Sequence, residues 1–129
     1  MATEIDTFKN NHPGRDYKIL IVQPEFTSLC PVSGNPDFAK LTIEYIPDKL
    51  CLELKSLKFY LNSFRNKGIF YENLINGIME TLKDSCSPRW MKVTGEFTPR
   101  GGLSTTVTVE HHKQVKAARR PQPNCRPPL

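Results

Sequence analysis

Cys30 is followed at once by Pro31 and stands seven residues ahead of Asp37, with Gly34 and Pro36 between them. A cysteine in that setting is presented by a loop. Together with a carboxyl group it has the parts of covalent catalysis, a nucleophile and a carrier for its proton. The thiolate is the reactive form, and an unperturbed thiol of pKa about 8.5 is mostly protonated near neutrality, so a nucleophilic role needs an activating neighbour. Asp37 is the nearest one in sequence. The same spacing equally suits a turn-forming Asp beside a bystander thiol, so the pair alone does not decide.

Four further groups could meet a ligand. Lys55 and Lys58 lie three apart, which on a helix puts both ammonium groups on one side, either facing a phosphate or simply solvated. Glu53 and Glu72 fall at the starts of the two expected helices, where the macrodipole favours a carboxylate whether or not a ligand is near. Arg100-Gly101-Gly102 offers a guanidinium and bare backbone, although Gly-Gly is first of all a turn. His12, His111 and His112 lie in polar end segments and receive no role.

The elements that must hold these groups follow from periodicity. Residues 17–30 read as a strand with an extended exit, and Pro31 to Asp37 as a loop. Leu41-Thr42-Ile43-Glu44-Tyr45 alternates with period two, the pattern of a sheet with one buried face. From Glu53 the period changes: Leu54, Leu57, Leu61 and Phe64 form one helical stripe, and Gly68 is expected to end that helix in the left-handed conformation. Phe70, Leu74, Ile75, Ile78, Met79 and Leu82 form a second stripe, broken near Pro88. Strands return at 90–97 and 103–110, joined through Thr98 to Gly102. The order ββααββ predicts an α+β domain, an antiparallel four-stranded sheet with two helices on one face. Its other face and its edges need solvent or another subunit.

Composition narrows the class. At 129 residues the chain suits one domain with a real core. Its longest aliphatic run, Ile19 to Val22, is far short of the roughly 20 residues of a spanning helix. The first residues carry no secretion-signal pattern, so a cytoplasmic, membrane-free protein is expected. The cysteines Cys30, Cys51, Cys86 and Cys125 include no Cys-x-x-Cys pair and no histidine at finger-like spacing, so no metal site is expected. Cys51 and Cys86 read as core residues. The net charge of +5 is local: Lys113, Lys116, Arg119, Arg120 and Arg126 account for it, leaving 13 basic and 13 acidic side chains in residues 1–110. The chain thus divides into an arm at 1–16, a domain at 17–110, and a basic, Pro-rich tail at 111–129 expected to be disordered. That tail could touch RNA phosphates by charge alone.

Taken together, Phe26-Thr27-Ser28-Leu29-Cys30-Pro31 with Gly34 and Pro36-Asp37-Phe38, then Glu53-Leu54-Lys55-Ser56-Leu57-Lys58-Phe59-Tyr60-Leu61, then Phe97-Thr98-Pro99-Arg100-Gly101-Gly102, resemble the single-domain 7-cyano-7-deazaguanine reductases of the tunnelling-fold superfamily. The likeness covers residues 15–110, with several motifs in order. It implies reduction of the nitrile of 7-cyano-7-deazaguanine to an aminomethyl group on the way to queuosine in tRNA, with NADPH as cofactor. Cys30 would add to the nitrile carbon to give a thioimide, and Asp37 would protonate nitrogen. Leu52, Glu53, Leu54, Tyr71 and Glu72 would border the deazapurine, and Lys55, Ser56, Lys58, Arg100 and Gly101 the cofactor.

The family pattern usually has His-Glu where this chain has Tyr71-Glu72, which implies altered affinity. The resemblance also implies rings with active sites between subunits, a homodecamer of two pentamers. Two rivals remain: an amidinotransferase that makes archaeosine on tRNA from the same nitrile, and a non-catalytic ring protein that binds a purine or RNA. The matched stretch from Glu53 to Lys58 favours the reductase.

Overall fold

The computed structural model describes residues 5–114. Its elements run β1 (Thr7–Lys9), β2 (Ile19–Leu29), β3 (Pro36–Ile46), β4 (Leu50–Leu52), α1 (Leu54–Asn62), α2 (Tyr71–Cys86), β5 (Trp90–Arg100) and β6 (Leu103–His112). The four long strands form one antiparallel sheet in the order β2-β3-β5-β6. On β3 the alternation is strict: Asp37, Ala39, Leu41, Ile43 and Tyr45 are buried, while the residues between them face the other side. Met91, Val93 and Phe97 continue that buried face on β5.

Both helices cover this face. Leu57 and Leu61 of α1 and Leu74, Ile75, Ile78, Met79 and Leu82 of α2 join the strand residues in one core. Each such aliphatic side chain removed from water contributes about 1.5–3 kcal/mol, and that burial holds short helices which propensity alone would not. The opposite face stays open and mixes Leu20, Val22 and Phe38 with charged groups such as Lys18 and Glu44. The α+β architecture of two helices on a four-stranded antiparallel sheet is therefore as the periodicity predicts.

Several details differ from expectation. The arm is tied down: β1 pairs with β4, and buried Asn10 donates to the Asp48 carbonyl at 2.8 Å while accepting from the Tyr17 hydroxyl at 2.7 Å. Three-residue strands leave no periodicity to read. Pro36 and Asp37 belong to β3 and not to the preceding loop, because β2 extends to Leu29 and pairs with them, Ser28 opposite Asp37. Gly68 does not end a helix in the left-handed region. α1 stops at Asn62, and Gly68 bridges to Leu29 in parallel, where an added Cβ would lie 3.4 Å from Pro31 Cα. Phe70 leaves the α2 stripe as the helix N-cap, 53% exposed. β6 runs to His112, two residues past the expected boundary at 110. The rest of the predicted tail, from residue 115 on, and Cys125 with it, lies outside the described residues.

Candidate active site

The end of β2 closes on itself. Cys30 N–H donates to the Asn35 carbonyl and Gly34 N–H to the Cys30 carbonyl, both at 2.8 Å, and Gly34 takes φ +80°, a conformation natural to glycine. This loop turns Cys30 outward, half-buried, and aims the Ser33 N–H at its Sγ at 3.4 Å. Hydrogen bonding from Ser33, first by its hydroxyl and then by its N–H, holds the Cys30 thiol below its ordinary pKa. The nearby Asp37 charge and partial burial oppose that shift.

A second strand-like contact brings α2 to the same place. Leu29 N–H donates to the Lys67 carbonyl and Ile69 N–H to the Leu29 carbonyl, each at 3.1 Å, so residues 67–69 run beside the end of β2. Ile69, Phe70, Tyr71 and Glu72 are thereby set next to Cys30 and Pro31. Tyr71 stacks on Phe97 with ring centroids 3.7 Å apart and planes 10° from parallel. Burial pushes its phenol up, and the Asp37 carboxylate beside it pushes the same way.

β5 supplies the third wall. Its register shifts between Phe97 and Arg100, and a two-residue turn follows in which Gly101 and Gly102 have φ of 60° and 84°. Such a hairpin favours glycine at both positions. A bulge re-aims the side chain that follows it, and here the Arg100 guanidinium reaches back to form an ion pair with Oδ1 of buried Asp37. Asp37 in turn raises the Arg100 pKa further. Cys30, Pro31, Asp37, Ile69, Phe70, Tyr71, Glu72 and Arg100 together line a cavity of about 380 Å³, within the range of small-molecule sites.

The other expected site residues lie elsewhere in the protomer. Leu52 is in the core. Glu53 caps α1, its two carboxylate oxygens accepting from Lys55 N–H at 2.9 Å and Ser56 N–H at 2.8 Å, which lowers its pKa. Buried Ser56 accepts from Asp6 N–H at 2.8 Å. Leu54 and Lys58 line a separate apolar hollow with Ile21, Val22 and Leu57. Lys55 and Lys58 are exposed and, among the described residues, in no ion pair. Gly101 sits at the hairpin tip with nothing within 4 Å of an added Cβ, one residue past Arg100. Sequence reasoning missed the Asp37–Arg100 pair, 63 positions apart, and the Tyr71–Phe97 stack, for which no local signal exists. The Ser33 contact lies within the expected loop from Pro31 to Asp37, but the sequence reading did not single it out.

The model of the QueF-like protein family matches residues 36–116. This chain belongs to that family. Curated relatives include the NADPH-dependent 7-cyano-7-deazaguanine reductase of Chlorobaculum tepidum, 54% identical over 84% of this chain and 93% of the relative. The reductase of the same name from Chlorobium luteolum is 56% identical over 84% and 93%, and that of Magnetococcus marinus 53% identical over 85% and 86%. Among solved structures, the archaeosine synthase QueF-Like in the apo form is similar, with TM-score 0.68 and 26% identity over 77% of this chain and 96% of that one. The QueF-like match begins at Pro36 and so takes in Asp37, Glu72 and Arg100 of the cavity.

Proposed function

We propose that this chain reduces the nitrile of 7-cyano-7-deazaguanine to 7-aminomethyl-7-deazaguanine, for queuosine in tRNA, in the cytoplasm. The observation that carries the reading is the convergence of Cys30, Asp37 and Glu72 on one cavity of purine size, in a chain similar over 84% of its length to reductases of that name. The Cys30 thiol adds across the nitrile: sulfur bonds to carbon, and the thiol proton passes through Asp37 to nitrogen, leaving a thioimide. Arg100 pairs with Asp37 and fixes the carboxyl group in the cavity. Glu72, exposed at the start of α2, accepts paired N–H bonds from the guanine-like edge. Tyr71, one face spent on Phe97, borders the ring in place of the family's usual histidine.

Two NADPH bound in turn would each supply one hydride to that carbon; two protons from solvent go to nitrogen, and the carbon–sulfur bond breaks to return the Cys30 thiol. Groups suited to its phosphates are present: Arg100 is 39% exposed at its side chain, Gly101 bares its backbone, and Lys55 and Lys58 are unpaired cations among the described residues. Within one protomer the stretch from Leu52 to Lys58 does not reach the cavity. We therefore assign it to a neighbouring subunit's site in a ring, a pair of pentamers, for which the open sheet face and the unpaired edges of β2 and β6 are suited.

The likeness to the archaeosine synthase supports a second reading, in which ammonia attacks the thioimide instead of hydride. One assay separates them. NADPH absorbance is followed with free 7-cyano-7-deazaguanine while the protein is weighed by mass spectrometry. Two NADPH consumed per nitrile is the reductase result. An adduct without NADPH loss favours the amidinotransferase, and neither signal leaves a binding protein. Cys30→Ala should abolish the adduct and leave assembly intact; turnover retained in that variant ends the mechanism.

A further inference from the structure

Ser28 lies at 0% exposure, and its Oγ has no hydrogen-bond partner among the described residues. A buried hydroxyl left unpaired is uncommon in a folded protein and calls for a cause. Its place supplies one. Ser28 is directly opposite Asp37 in the β2–β3 register, and both side chains point to the helix-covered face. Opposed residues on one face have Cβ atoms about 5 Å apart, within reach of a hydroxyl rotor or one bridging water. Asp37 is 3% exposed, with Arg100 on Oδ1 and the Tyr71 phenol beside the carboxyl group.

We propose that Ser28 is a positioning residue for Asp37, the partner that the carboxyl group takes as it passes through its neutral form. The inference rests on the function proposed above. During thiol addition Asp37 accepts the Cys30 proton and then yields it to the nitrile nitrogen, so it must pass through a neutral form. Arg100 is a donor only and supports the anion alone. A serine hydroxyl can accept from the acid. The other ionisable groups facing Asp37 are Cys30 on the β2 exit, Tyr71 and Glu72 on α2, and Arg100 on β5; the Tyr71 phenol, a second hydroxyl beside the carboxyl group, lines the cavity, and Ser28 does not.

The test is Ser28→Ala in the full chain, with two readouts. Because no bond is lost in the free protein, the melting temperature should stay within about 2 °C of the parent, whereas an ordinary buried hydrogen bond would lower it further. The rate of Cys30 adduct formation with 7-cyano-7-deazaguanine, taken by mass spectrometry across pH, should fall on the order of tenfold, the worth of one hydrogen bond to a charged group. Ser28→Thr, which keeps the hydroxyl, should restore the rate. A parent-like rate in Ser28→Ala overturns the proposal while leaving the reductase reading intact. No adduct in the parent protein overturns both.

Discussion

Gly95 sits mid-strand in β5 beneath α2, and a single methyl group there tests how tightly the two are joined. A Cβ at Gly95 would lie 2.6 Å from Ile75 Cδ1, 3.1 Å from Ile75 Cγ1 and 3.0 Å from Phe97 Cε1. Comfortable carbon contacts need about 3.5–4.0 Å, so the nearest is short by about 1 Å. Ile75 is wholly buried and cannot swing into solvent. Overpacking of this kind costs about 1–3 kcal/mol, against a gain of about 0.4–1 kcal/mol from stiffening the unfolded chain. Gly95→Ala should therefore be less stable by about 1–2 kcal/mol, a fall of roughly 5–10 °C for a domain of this size.

The assay is thermal unfolding of four proteins: the parent, Gly95→Ala, Ile75→Val, and the double variant. Ile75→Val removes Cδ1, the atom nearest the new methyl, at its own cost of about 0.5–1.5 kcal/mol. The double variant should then lose at least about 0.5 kcal/mol less than the two single losses together, since neighbours in contact do not act independently. Phe97 also carries Tyr71, so KM for the nitrile should rise in Gly95→Ala. A melting temperature equal to the parent's, or strictly additive losses, would refute the packing argument.

Removing Arg100 as Arg100→Ala should slow adduct formation, because Asp37 loses the ion pair that fixes its carboxyl group in the cavity; an unchanged rate counts against the pairing. Among the described cysteines, Cys30 should react with iodoacetamide in the native state with a midpoint below that of an ordinary thiol, and Ser33→Ala should raise the midpoint. Cys86, whose thiol burial pushes up to about 12, should react only on unfolding. Glu53 has a folded pKa below its unfolded one, so its contribution is present above the unfolded value and lost as pH falls through the folded value. The melting-temperature gap between the parent and Glu53→Gln should accordingly be widest near neutrality and close in acid.

Much of this was legible residue by residue. Alternation along 41–45 and 103–110 and the stripes of Leu57, Leu61, Leu74, Ile78 and Leu82 specify a half-buried sheet and two helices, because side-chain burial repeats at 2 and 3.6 residues in those backbones. The turn residues around Gly34 announce that Cys30 is presented by a loop, and the motifs around Cys30 and Glu53 point to nitrile chemistry.

What the chain alone could not disclose is who meets whom across the sheet. The β2–β3 register decides that Ser28 opposes Asp37, and the β5 bulge decides that Arg100 turns back onto it. The bridge at Gly68, not a helix stop, decides that Tyr71 and Glu72 arrive beside Cys30. Local pattern encodes which face a side chain takes, since that depends on its own backbone. Pairing between distant strands depends on the sum of contacts over the whole core, and so the charge partner of the Asp37 carboxyl group belongs to the tertiary structure alone.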